Sequence, residues 1–365
     1  MPRWTDQPFR CMNPCFRHRL IYLILVVHCS WFIALPGNGQ RVALVLSGGA
    51  ARGGAHLGVL KALEEQQIPV HYIVGTSIGA VIGSMYASGY SPAEIEDIMA
   101  SDDFQRWVSG TISDDFVYYY RKEDPNASWI STSFDFTKKY AAILPTQLIK
   151  THEIDFRLME LLAQANAVAG NNFDSLLIPF RCVVADIDTT ASKVIRSGDL
   201  ATAVRASMSL PLVFSPVTMN DKLMYDGGMY NNFPCDVAYR DFRPDVIIGS
   251  RVAQRYKKPD RDDIVSQLLT MLMERQSDTV FYPGSVMIVP SIPPVNLLDF
   301  TRTRELADSG YRATLAKIPE IRRLVNDSVT PGERERQRKA FNGKKPALRF
   351  DSIHIRGLTR AQEGY

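Results

Sequence analysis

Residues 70–87 read VHYIVGTSIGAVIGSMYA. Val70 to Val74 is a short apolar run stopped by Gly75, the pattern of a buried strand. Ile78 to Ala87 carries apolar residues at helical spacing and is closed by Gly89. Between them stands Gly75-Thr76-Ser77-Ile78-Gly79, a G-x-S-x-G sequence at a strand-to-helix junction, the context of a nucleophile elbow. Small residues are needed there because the turn is strained and the helix passes close to the strand. The helix dipole would favour an alkoxide on Ser77 and an acyl oxyanion beside it. The plainer reading is a β–α turn with a capping serine.

Upstream, Arg41 to Leu46 predicts a further buried strand, followed by Ser47-Gly48-Gly49 and a helix from Gly54 to Gln67. Downstream, Ser91-Pro92-Ala93-Glu94 is a capping box with proline at the first helical position, so another helix runs to about Ala100. Strand, helix, strand, helix in this order implies parallel strands packed between helices, an α/β fold. The spacing predicts helices over 146–168 and 200–209, and strands over 180–185, 194–195 and 246–250. Phe116 to Phe136 reads as an aromatic-rich hairpin or extended excursion. Phe116 to Ile143 gathers Phe116, Tyr118, Tyr119, Tyr120, Trp129, Phe134, Phe136 and Tyr140 beside Arg121, Lys122, Lys138 and Lys139, which suits a bilayer interface; the rival reading is a hairpin whose rings cover the core. Pro331 to Lys345 is highly charged and predicts a solvated linker. Leu348 to Gly357 alternates apolar and polar residues as one strand, the expected beginning of another domain.

The chain has 365 residues, 45% hydrophobic and 22% charged, ordinary for a globular protein. Its net charge of +3 is matched by residues 1–38, where Arg3, Arg10, Arg17 and Arg19 face Asp6. The remainder is near neutral, which argues against a nucleic-acid partner. Arg17-His18-Arg19 precede an apolar run from Leu20 to Leu35 closed by Pro36-Gly37, the pattern of an export signal, with an uncleaved anchor as the alternative. Cys11, Cys15 and Cys29 fall in that segment. Cys11 and Cys15 have no downstream metal-ligand set, no metal or cofactor is implied, and Cys182 is expected to be buried.

A nucleophilic serine needs a base. Downstream of Ser77 the chain has His152 and His354, and neither fits: one opens a predicted helix, the other lies in the terminal strand. A carboxylate is left, and Asp226 in Tyr225-Asp226-Gly227-Gly228 is the candidate, although Asp-Gly-Gly is foremost a turn signal. Gly48-Gly49-Ala50-Ala51-Arg52-Gly53, between the first strand and the first helix, offers backbone amides suited to phosphate or an oxyanion. It lacks the Gly-Lys-Ser/Thr end of a P-loop and breaks G-x-G-x-x-G at Ala50, which disfavours a nucleotide site.

These three elements in order, with Arg205 to Pro211, Phe214 to Val217 and Asn231 to Pro234 as flanks, resemble the patatin-like phospholipases. The resemblance implies a three-layer α/β/α sandwich with a mostly parallel central sheet and a histidine-free Ser77–Asp226 dyad. In it the amides of Gly48, Gly49 and Ala50 hold the oxyanion and Arg52 orders their loop. The implied activity is hydrolysis of phospholipid or other acyl-ester lipids at a membrane surface, through an acyl-enzyme. Ala50 stands where the family often has a third glycine, a departure tolerable at negative φ. That departure motivates the alternative of a non-enzymatic lipid-binding or secretion-associated module. The implied organisation is a signal or anchor over 1–38, a catalytic core over 42–235 completed by 236–328, a charged linker over 329–347 and the start of a POTRA-like domain over 348–365. A signal followed by this order resembles type V secreted proteins and implies an exported protein of the periplasm, outer membrane or cell surface.

Overall fold

The structure is a computed structural model describing residues 39–111, 148–253, 267 and 282–349, and the backbone of 133–135 and 141–143. β1 (Val42–Leu46) is buried at all its residues. Its side chains therefore alternate between two apolar layers instead of between core and water. Val42, Leu44 and Leu46 join the layer containing helix α1 (Gly54–Glu65), whereas Ala43 and Val45 join the other. Each fully buried leucine or isoleucine contributes roughly 1.5–3 kcal/mol by leaving water. β2 (Tyr72–Thr76) lies parallel to β1, with Leu46 opposite Gly75. After Ser77 the chain enters α2 (Ile78–Ala87) directly.

α3 (Pro92–Met99) begins at the capping box: the Ser91 Oγ accepts from the Glu94 N–H, and the Glu94 carboxylate accepts from the Ser91 N–H. α4 (Asp102–Ser109) follows. β3 (Ser133–Asp135) and β4 (Ala141–Ile143) form an antiparallel pair. The aromatic and cationic side chains of 116–143, like the export segment and the POTRA-like strand from residue 350 on, lie outside the described residues. α5 (His152–Ala169) starts later than the spacing suggested, because the Leu148 and Ile149 amides donate to the Leu212 and Val213 carbonyls instead of entering a helix.

The second half supplies β5 (Phe180–Asp186), β6 (Ala191–Ile195), α6 (Leu200–Ser207), β7 (Val217–Met219), β8 (Lys222–Asp226), α7 (Cys235–Phe242), β9 (Val246–Ser250) and β10 (Ser285–Ile288). The sheet order is β10-β9-β1-β2-β5-β8-β7, with β6 also on β5. The pairs from β10 to β5 are parallel, and those made by β6, β7 and β8 are antiparallel. One face carries α1, α2, α5 and α6; the other carries α7 through Val237 and Phe242. This is a three-layer α/β/α sandwich with a mostly parallel sheet.

Two further helices follow among the described residues, α8 (Thr303–Leu324) and α9 (Pro331–Asn342). α8 crosses α1 backbone against backbone: a Cβ on Gly58 would lie 1.8 Å from the Ala307 oxygen, and one on Gly310 would lie 1.8 Å from the Ala55 oxygen. α9 corrects the expected solvated linker. Thr330 caps it by accepting from the Glu333 N–H, and Pro331 occupies its first turn. Arg334, Arg338 and Phe341, on one helical stripe, are buried. The stripe is hidden in the sequence because arginine stems do the packing usually given to leucine.

Candidate active site

β5 acts as a ruler that brings distant residues together. β6 takes one edge of β5 from Cys182 to Asp186. The other edge is shared: β2 pairs with it up to Thr76 opposite Val183, and β8 continues from Asp226 opposite Val184. β8 runs antiparallel to β5, so its last residue meets the end of β2. Ser77 and Asp226 thereby become neighbours at adjacent register positions. Gly227 is required at this seam, since a Cβ there would lie 2.3 Å from the Val183 oxygen.

Ser77 sits at φ 55°, ψ −127°, the left-handed side of the backbone map that residues with a Cβ rarely occupy. Its strain is held by both flanking glycines: a Cβ on Gly75 would meet the Gly79 oxygen at 2.4 Å, and one on Gly79 would meet the Leu46 oxygen at 2.4 Å. The Ser77 Oγ donates to Asp226 Oδ2 at 2.6 Å. Asp226 Oδ1 accepts from the Gly228 N–H at 2.7 Å, which fixes the carboxylate plane. Burial pushes the Asp226 carboxyl up to about 6, against the opposing hydrogen bonds from Ser77 and Gly228. That places a base near neutral pH within reach of a serine hydroxyl.

The glycine-rich loop lies against the elbow. A Cβ on Gly48 would lie 2.2 Å from Asn232 Oδ1 and 3.1 Å from the Ser77 Cβ, and one on Gly53 would collide with Ile78. The Gly48 amide is already engaged, donating to the Asn232 carbonyl at 3.1 Å. Among the described residues the Gly49 and Ala50 amides meet no backbone acceptor, so of the three expected donors these two are open. Ala50 has φ 51°, not the negative φ that the sequence reading required of it. Arg52 enters the loop through its backbone, the N–H donating to the Gly49 carbonyl at 3.2 Å. Its side chain makes no hydrogen bond among the described residues, and its Nε is buried without a partner.

Two supports have roles that the sequence does not reveal. The first is His56, fully buried on α1. Its Nε2 donates to the Ser47 carbonyl at 2.9 Å, and its Nδ1 then accepts from the Ser250 hydroxyl at 2.8 Å. The carbonyl can only accept, so the ring is the neutral Nε2–H tautomer; burial pushes its pKa down to about 4. It pins the start of the loop to the end of β9. Lying upstream of Ser77 in an apolar helix, it carries no sequence signal of a catalytic base. The second is the end of α6 and the turn after it. The Ser207 Oγ accepts from the Ser77 N–H at 2.9 Å and donates to the Val183 carbonyl at 2.6 Å. The Ser209 carbonyl accepts from the Asp226 N–H at 2.9 Å, while Arg205 donates to the Ser209 Oγ and pairs with Asp155.

A strained serine at a strand-to-helix elbow, hydrogen-bonded to a buried carboxylate beside open loop amides, has the geometry that a serine hydrolase needs. The family model described as patatin-like phospholipase matches residues 44–239, and the chain belongs to that family. It is 34% identical over 320 residues to patatin-like phospholipase domain-containing protein ZK370.4 of Caenorhabditis elegans, covering 80% of this chain and 21% of that protein. It is 29% identical over 308 residues to patatin-like phospholipase domain-containing protein 6 of Mus musculus, covering 75% and 20%. To lysophospholipase NTE1 of Phaeosphaeria nodorum it is 25% identical over 346 residues, covering 86% and 20%. The chain thus spans about a fifth of the length of these curated relatives. Among solved structures it is similar to VipD from Legionella pneumophila, with a TM-score of 0.44 and 13% identity over 77% of this chain and 67% of that one.

Proposed function

We propose that the protein is a lipid acyl hydrolase that cleaves carboxylic esters of phospholipid or lysophospholipid through an acyl-enzyme on Ser77. The observation that carries this reading is the 2.6 Å hydrogen bond from the Ser77 Oγ to Asp226 Oδ2 at a strained elbow. Asp226 Oδ2 takes the hydroxyl proton as the Ser77 Oγ attacks the ester carbonyl. The oxyanion forms against the Gly49 and Ala50 amides and the N-terminus of α2. The tetrahedral adduct collapses, the C–O bond to the alcohol breaks, and that oxygen leaves with the proton from Asp226. Water then attacks the acyl-Ser77 ester with Asp226 again as base, releasing the fatty acid. Ser77→Ala should abolish release of fatty acid from phosphatidylcholine or lysophosphatidylcholine vesicles while leaving the circular dichroism spectrum unchanged. Undiminished release by that variant would remove Ser77 from the chemistry. The proposed setting is a membrane surface reached by export, supported by Arg17-His18-Arg19 and the apolar run after it. Recovery of the full chain from the cytoplasm in unprocessed, unanchored form would contradict the export part.

A further inference from the structure

α9 closes a cavity of about 320 Å³ over the N-terminal ends of β2 and β5, walled on its apolar side by Val70, Leu177, Ile178 and Val329. Ser77 follows the opposite end of β2, roughly 16 Å away along a strand of this length. The cavity is therefore separate from the dyad. At the lower end of the range of ligand pockets, it has room for a medium-length acyl chain.

The polar side of the cavity carries more positive charge than its own carboxylate balances. Arg334 and Arg338 line it, each with 7% of its surface exposed. Arg338 pairs with Glu64, and Glu64 also accepts from the Tyr86 hydroxyl at 2.7 Å. Arg334 finds only neutral acceptors: its Nη1 donates to the Tyr86 hydroxyl at 2.7 Å and its Nη2 to the Ile68 carbonyl at 3.1 Å. Among the described residues no carboxylate pairs with Arg334. The Nε of each arginine is buried without a hydrogen-bond partner. Asp327, whose field reaches His71, and Glu335, whose field reaches Arg338, pair with neither guanidinium. A desolvated guanidinium without a counter-ion is costly, and a carboxylate fits its fork.

We propose that this cavity binds a carboxylate bearing an apolar chain, with the carboxylate on Arg334 and the chain against Val70, Leu177, Ile178 and Val329. The site takes the chemical class of ligand that ester hydrolysis of a lipid releases, but it does not depend on Ser77 being the nucleophile. The test is calorimetric titration of the full chain with sodium octanoate, alongside sodium acetate and inorganic phosphate. Octanoate is expected to bind saturably to the wild type and equally to Ser77→Ala, which separates this site from the outcome of the hydrolase assay. Arg334→Gln removes the charged hydrogen bonds, and Ile178→Phe fills the cavity while keeping both arginines. Each should weaken octanoate binding by more than about tenfold. Ile178→Phe should retain wild-type hydrolysis of p-nitrophenyl butyrate, which shows that it folds. Absence of saturable octanoate binding, retention of wild-type affinity in either cavity variant, or phosphate or acetate binding as tightly as octanoate would overturn the proposal.

Discussion

Asp226→Asn should make the protein more stable above neutral pH while removing its activity. In the folded chain burial raises the Asp226 carboxyl to about 6, against an ordinary 3.8 in the unfolded chain. Between those values the folded state holds a proton that the unfolded state has released. Stability therefore falls as pH rises through this window, and the loss is complete above about pH 6. At 1.36 kcal/mol per tenfold change in proton affinity, the difference corresponds to about 3 kcal/mol. An asparagine does not titrate. Its oxygen can still accept from the Gly228 N–H, and its amide can donate to the Ser77 Oγ, so both contacts stay hydrogen-bonded with Ser77 turned from donor to acceptor. Urea denaturation at steps from pH 4 to pH 8 measures the difference, which should move toward the variant by about 2–3 kcal/mol across that range. In the same variant hydrolysis should fall on the order of 10²-fold or more, as expected when a general base is lost. A stability difference that is flat with pH, or that moves toward the wild type as pH rises, would show that burial does not hold a proton on Asp226.

Further outcomes follow from the loop and its supports. Ala50→Gly should raise stability by about 1 kcal/mol in urea denaturation, because it removes a side chain held at φ 51°. His56 has a folded pKa near 4, below the ordinary 6.5, so its contribution is whole above pH 6.5 and is lost as pH falls toward 4. The size is about 3 kcal/mol, and stability measured against a His56→Gln variant should fall by that amount on acidification. The slopes from His56 and Asp226 oppose each other between pH 4 and 6, so the wild type alone should show a shallow profile there. Gly58→Ala should cost about 3 kcal/mol or more in thermal unfolding, since the added methyl meets the Ala307 carbonyl on α8.

The parts of this fold that follow from local pattern are visible in the sequence. β1, β2, α2 and the capped α3 each announce themselves by an apolar run or a capping box, and the elbow lies where a strand pattern gives way to a helix pattern. Asp226 could be singled out because the histidines were few and badly placed. Its position beside Ser77, 149 residues away, could not be read, since it depends on β2 and β8 sharing one edge of β5. The left-handed backbone at Ala50 and the capture of the Gly48 amide by Asn232 are set by packing of the loop against β9 and the elbow, which no periodicity encodes. α9 is hidden in the sequence for a different reason. Its Thr330-Pro331-Gly332-Glu333 start has the same form as the Ser91 capping box, but the charged composition masked a stripe of buried arginines.

Activation of Ser77 by Asp226, without any histidine, can be read from covalent capture. The full chain is mixed with a fluorophosphonate at pH 8 and followed by intact-mass and peptide mass spectrometry. A Ser77–Asp226 pair predicts one rapid adduct per chain on the peptide containing Ser77, slowed on the order of 10²-fold in Asp226→Asn and unaffected by His152→Ala. No adduct on Ser77, or labelling that persists in Asp226→Asn and disappears in His152→Ala, would contradict it.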